Sequence, residues 1–248
     1  MTPYATDTGW TLFLGDVLEV LPEVRRLGFV PTSLVTDPPF ATAGGNTNGR
    51  DSAADDQYWA FWFRAVFAEI AETLPPSACG FVFCDHRMLG ALSRAVSGGI
   101  DRQTPKGWAM SQALVWDRES IGLGKPFRAS FEMIGFVRGP TWEHDPGIIP
   151  RNVGTVIHHR FPYGVHEYHG AEKPVDLCRQ LVRWAGGSGV LDPFCGSGSV
   201  GVAARNEGRT YVGIERDERT LEIAARRLAQ AEANGVQAPL FAPAGVAP

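Results

Sequence analysis

Cys195-Gly196-Ser197-Gly198-Ser199-Val200-Gly201 follows a strand-like run, GVLDPF at 189–194, and opens a helical pattern at 198–207. Gly196, Gly198 and Gly201 satisfy G-x-G-x-x-G in the strand–turn–helix context that gives this spacing meaning. Glycine is required where backbone reverses sharply and comes close to a ligand. A turn of this kind belongs at the carboxyl end of a buried strand that feeds a helix, which is an α/β arrangement.

The rest of the chain agrees with that frame. Short β-rich runs alternate with longer helical patterns, the mark of a mostly parallel sheet covered by helices on both faces. Seven runs read as strands: 11–15, 33–37, 80–85, 110–117, 130–137, 189–194 and 210–215. Helices are expected over 17–27, 58–74, 86–97, 172–185, 198–207 and 217–233. The helix at 58–74 places Trp59, Phe63, Val66, Phe67, Ile70 and Leu74 on one face, and Pro75-Pro76 stops it. Phe61 lies off that face, where a second copy of the chain could meet it. Residues 41–57, rich in Gly, Asn, Asp and Ala, read as a long mobile loop. Residues 139–170 carry five histidines and break the rhythm with prolines and glycines, so they read as an irregular insertion.

Glu215 closes the next strand-like run, about 20 residues beyond the glycine turn, where a carboxylate can receive ribose hydroxyls of a nucleoside. A nicotinamide dinucleotide would satisfy this much. Asp192 argues against it: a carboxylate at the strand end repels a pyrophosphate. It attracts the ammonium and sulfonium of S-adenosylmethionine.

A second turn, Asp37-Pro38-Pro39-Phe40, follows the run SLVT. Two prolines fix φ and remove two backbone donors, so neighbouring carbonyls are rigidly aimed and free to accept. Asp37 and the Pro38 carbonyl could each accept a hydrogen from an exocyclic amine while Phe40 stacks on its ring. A rigid turn with an aromatic plug is the plainer reading of these four residues alone.

Taken together, the two turns resemble those of the amino-group DNA methyltransferases, which methylate adenine N6 or cytosine N4. Residues 192–198 match the family's D-P-F-x-G-S-G cofactor turn, and 37–40 match its [D/N/S]-P-P-[Y/F] catalytic turn. HGAEKP at 169–174 is similar to its H-x-x-E-K-P segment, FRASFEMIGFVRG at 127–139 to the strand after its catalytic region, and Gly15-Asp16 to a pair near the cofactor adenine. The catalytic turn comes first, the circularly permuted order of the beta group. The resemblance implies a Rossmann-like methyltransferase fold around a seven-stranded, mostly parallel sheet. It divides the chain into a catalytic half (1–138), a short target-recognition insertion (139–170), a cofactor-binding half (171–233) and a flexible tail (234–248). It implies S-adenosylmethionine as cofactor, held by Asp16, Lys173, Asp192, Pro193, Phe194, Cys195, Gly196, Ser197, Gly198, Glu215 and Arg216. Asp37, Pro38, Pro39 and Phe40 are the implied catalytic residues. The implied partner is DNA with its target adenine flipped out, and dimers are frequent among relatives. Asp at position 37 follows the family's adenine habit; cytosine-N4 transfer is the alternative, and a silent nucleic-acid-binding relative is the reading from another class.

Charge pulls the other way. The 248 residues carry 23 Lys and Arg against 27 Asp and Glu, a net charge of −4, whereas nucleic-acid binders are expected to be basic at least locally. Arg118, Lys125, Arg128, Arg138, Arg151, Arg160 and Lys173 are the basic residues nearest the expected nucleic-acid face. Cys79, Cys84, Cys178 and Cys195 form no C-x-x-C pair, and His158, His159, His166 and His169 lack partners at zinc-like spacing, so no metal is expected. Neither a signal peptide nor a membrane-length apolar run is read, which makes the cytoplasm the expected compartment.

Overall fold

The structure, a computed structural model, describes residues 1–39, 53–97, 105–122, 126–161 and 172–233. Phe40, most of the glycine-rich loop, Lys125, His166, His169 and the tail therefore lie outside the described residues. In chain order the elements are β1 (Ala5–Asp7), β2 (Trp10–Leu14), α1 (Val17–Arg26), β3 (Ser33–Thr36), α2 (Ala53–Thr73), β4 (Cys79–Cys84) and α3 (Met88–Ser97). A 3-10 turn (Pro105–Gly107) leads to β5 (Ala109–Asp117), β6 (Phe131–Arg138), β7 (Val156–His158), α4 (Val175–Ala185), β8 (Gly189–Asp192), α5 (Ser199–Asn206), β9 (Thr210–Glu215) and α6 (Glu218–Ala233).

The strands form a nine-stranded sheet in the order β1-β2-β9-β8-β3-β4-β6-β5-β7. From β2 to β4 every pairing is parallel, and β6 runs against both β4 and β5. The seven strands read from the sequence are all present. The two extra ones, β1 and β7, are three-residue edge strands, too short to show a period of two. β7 pairs with β5 and so attaches the 139–170 insertion to the sheet. Helix α2 begins at Ala53, so 53–57 belong to it and not to the loop expected over 41–57.

Alternation along each central strand divides the core between the two faces of the sheet. Leu12, Val35, Phe81, Phe83, Val190 and Tyr211 join the cluster packed with α4, α5 and α6. Phe13, Leu34, Val82, Leu191 and Val212 join the cluster beneath α1, α2 and α3. All six residues of β4 are buried, as expected of a strand covered on both faces. The sheet's switch point lies between β8 and β3: the chain leaves β8 toward β9 on one side and β3 toward β4 on the other. Ligands of such sheets bind at the carboxyl ends of the strands at this crevice. The Asp37 turn and the glycine turn both sit there. Among the described residues, no helix is long and apolar enough to cross a membrane.

Candidate active site

Asp37 leaves β3 one residue after Thr36, whose hydroxyl donates to Asp192 Oδ1 at 2.7 Å. This bond ties the two turns across neighbouring strands. The Tyr211 hydroxyl, from β9, donates to Asp192 Oδ2 at 3.0 Å, and the Phe194 amide approaches Oδ1 at 3.3 Å. Asp192 is 1% exposed, and that burial pushes its carboxyl up to about 7 although three donors oppose the shift. The strand-end carboxylate expected to meet a cation thus faces inward and joins three strands.

Asp37 has a different setting. Lys173 Nζ, just before α4, donates to its Oδ2 at 2.6 Å and lies 3.5 Å from Oε2 of Glu132 on β6. The same ammonium stands 5.2 Å from the centroid of the Phe83 ring. Burial pushes the Asp37 carboxyl above its ordinary value, against the pull of Lys173. For Lys173, burial alone would lower the ammonium, but Asp37 and Glu132 together hold it above its ordinary value. Asp37 Oδ1 is enclosed yet has no hydrogen-bond partner among the described residues. Pro38, buried beside it, has no amide hydrogen to offer. Lys173, expected among the cofactor residues, meets the Asp37 turn with its ammonium.

The glycine turn is built for close approach. Gly196 and Gly198 adopt φ of 50° and 86°, a region that other residues enter only with strain. A Cβ on Gly196 would meet nothing within 4 Å, so the backbone there borders open space, whereas one on Gly198 would lie 3.0 Å from the Ala224 Cβ of α6. Glu215 Oε2 accepts from the Gly196 amide at 3.1 Å, and its Oε1 accepts from the amides of Arg216 and Asp217. A carboxylate offers about four acceptor positions, so Oε2 retains one for a hydroxyl. Asp16 is exposed at the end of β2 and caps α1 through the Leu18 amide. Phe194 packs on Trp62 of α2 at 5.4 Å, and Trp62 packs in turn on Trp59 and Phe63. Cys195 is buried, which pushes its thiol well above the usual range and makes it a lining group.

Sequence reasoning overlooked Thr36, Trp62, Glu132, Tyr211 and Arg227. Glu132 had a signal: it is a carboxylate inside the otherwise apolar run FEMIGFV. Arg227 of α6 had none. It donates to the Ser197 carbonyl at 2.8 Å and the Ser197 hydroxyl at 3.0 Å, and pairs with Glu172 at 2.5 Å. The expected basic face is also rearranged. Lys173 is buried on carboxylates, and Arg118 is half-buried, 4.3 Å over the Phe161 ring. Arg138, the last residue of β6, lies in register with Ala109 and Cys79, at the end of the strands opposite the site.

The profile of a DNA methylase family matches residues 148–226, which span Lys173, the glycine turn and Glu215. Over this stretch the chain is similar to the N6-adenine/N4-cytosine DNA methyltransferases. The chain is 22% identical over 253 residues to the DNA adenine methyltransferase YhdJ of Escherichia coli, covering 88% of this chain and 82% of that one. It shares its fold with the cytosine-N4-specific PvuII DNA methyltransferase (TM-score 0.72, 18% identity, 91% of this chain and 88% of that one). It likewise shares it with M1.HpyAVI, solved as a complex with SAM (TM-score 0.67, 18% identity, 88% of this chain and 98% of that one). The glycine turn of this chain could hold that cofactor: it offers open space at Gly196, an acceptor position on Glu215 and an aromatic wall at Phe194 and Trp62.

Proposed function

We propose that this chain transfers a methyl group from S-adenosylmethionine to the N6 amino group of a DNA adenine flipped out of its duplex. The observation that carries this reading is Asp37 Oδ1, an enclosed acceptor without a donor among the described residues, beside a proline that has none to give. A buried acceptor left unpaired costs about 1–3 kcal/mol, and an incoming amino group would remove that cost. When bound, the cofactor supplies a methyl group on an electrophilic sulfonium. Asp37 Oδ1 and the Pro38 carbonyl would accept the two amine hydrogens and favour a pyramidal nitrogen with its lone pair turned to the cofactor side. Asp37, with its proton affinity raised by burial, stands where the proton released from the amine can be received. The contribution of the protein is positioning in a dry site. A base inside a duplex cannot bring its amine to an enclosed carboxylate, so it must be flipped or presented single-stranded, and Phe40 is the ring assigned to stack on it.

A second reading keeps the site and changes the base. PvuII methyltransferase, whose fold this chain shares, is cytosine-N4-specific, and a carboxylate paired with a carbonyl would grip either exocyclic amine. Methyl transfer from labelled S-adenosylmethionine to unmethylated DNA, followed by nucleoside analysis, separates the two. N6-methyladenine is expected, whereas N4-methylcytosine would overturn the choice of base. Asp37→Ala should lose at least about 100-fold in turnover while still binding S-adenosylhomocysteine. Activity near wild type in that variant would overturn the role of Asp37.

A further inference from the structure

Lys173 is the meeting point of two carboxylates from different elements. Asp37 comes from the turn after β3 and Glu132 from the second position of β6, with Lys173 Nζ 2.6 Å from one and 3.5 Å from the other. Lys173 is 7% exposed and the Glu132 side chain 16%. Arg118, 3.7 Å from Glu132 Oε1, anchors the far side of this carboxylate. Glu132 Oε2 has no hydrogen-bond partner among the described residues, so it acts on the ammonium through charge alone. Holding four charged groups, Asp37, Lys173, Glu132 and Arg118, in one largely enclosed chain of contacts is costly unless each is compensated. The arrangement occupies one Asp37 oxygen and, among the described residues, leaves the other without a partner.

We propose that Lys173 and Glu132 are positioning residues for Asp37: the ammonium fixes Oδ2 so that Oδ1 alone faces the amino group, and Glu132 balances the ammonium from behind. This inference rests on the function proposed for Asp37. The two residues act on the Asp37 carboxyl with opposite sign. Lys173 favours its ionised form, whereas the charge of Glu132 disfavours it. Among the described residues, the other titratable groups facing this cluster are Cys84 on β4, Cys178 on α4 and Asp192 on β8. Burial holds both thiols protonated through the neutral range, leaving the carboxylates to set the balance.

The test is the pH profile of kcat/KM for DNA methylation by the full chain with S-adenosylmethionine, compared among wild type, Lys173→Met and Glu132→Gln. S-adenosylhomocysteine binding is measured in parallel. Lys173→Met should move the acid limb upward by about one pH unit, so that activity below the limb falls roughly tenfold. Glu132→Gln, nearly isosteric, should move the same limb downward. Lys173→Arg should return it toward the wild-type position. A purely structural role would lower activity at every pH and leave the limb in place. Limbs that stay put, or that move in one direction in both variants, overturn the proposal. If Lys173→Met yields no soluble protein, the direction of the Glu132→Gln shift decides alone. Asp37→Asn in the same assay separates the two levels. An active Asp37→Asn removes the functional reading itself, whereas an inactive one beside unmoved limbs removes only this inference.

Discussion

Asp192 carries more consequence for folding than its place in a cofactor motif suggests. Its carboxyl is raised to about 7 by burial, against an ordinary value of 3.8 in the unfolded chain. Between these values the folded protein holds a proton that the unfolded chain does not, so stability falls as pH rises from about 4 to 7 and levels off above. The full shift corresponds to about 4 kcal/mol at most. Asp192→Asn keeps its shape, and the Thr36 and Tyr211 hydroxyls can exchange donor and acceptor roles to suit an amide. Urea unfolding of cofactor-free protein at pH 5 and pH 8 should therefore show the variant gaining on wild type by a few kcal/mol at the higher pH. A stability difference that does not change with pH would show that Asp192 is ionised in the folded state. The presence of this carboxylate was legible in GVLDPF, but its inward direction was not. That direction depends on Thr36, 156 residues away, and on Tyr211, 19 residues on.

At the scale of elements, the strand runs and the G-x-G-x-x-G spacing made the parallel sheet and its crevice legible, because buried strands and tight turns leave local patterns. What holds the turn from behind left no such pattern. Helix α6 approaches so closely that any Cβ on Gly198 would press on Ala224, and Arg227 grips Ser197 through carbonyl and hydroxyl while pairing with Glu172. The helix thus fastens the cofactor turn to the segment that carries Lys173. Arg227→Lys keeps the charge opposite Glu172 and loses the fork geometry. Its expected effect is about tenfold weaker binding of S-adenosylhomocysteine, equal to roughly 1.4 kcal/mol, with kcat at saturating cofactor near wild type. Calorimetric titration of folded Arg227→Lys measures this, and unchanged affinity would reduce α6 to a packing element.

For the whole molecule the question is how a chain of net charge −4 would hold the polyanion proposed as its substrate. Much of its positive charge is already engaged. Lys173 lies between Asp37 and Glu132, Arg179 and Arg183 hold Glu207 across α4 and α5, Arg209 donates to carbonyls at the end of α4, and Arg25 pairs with Glu69. Among the described members of the expected basic face, Arg128, Arg151 and Arg160 remain exposed. Arg128 donates to the carbonyls of Gly122 and Ile121 and so keeps its full charge. Three phosphate contacts would give a slope of log Kobs against log salt of about −3, from roughly −0.9 per phosphate. One copy of the chain on duplex DNA should therefore bind weakly and lose affinity gently with salt. Its selectivity would come from the groups proposed to hold the base, Asp37 and the Pro38 carbonyl, more than from the backbone it rests on. Fluorescence anisotropy with a labelled duplex across a salt series reads the slope directly. A value near −3 supports single-copy engagement through this edge. A value near −6 or steeper overturns it, and at −6 the doubling is what two copies on one duplex would produce, each contributing the same three arginines.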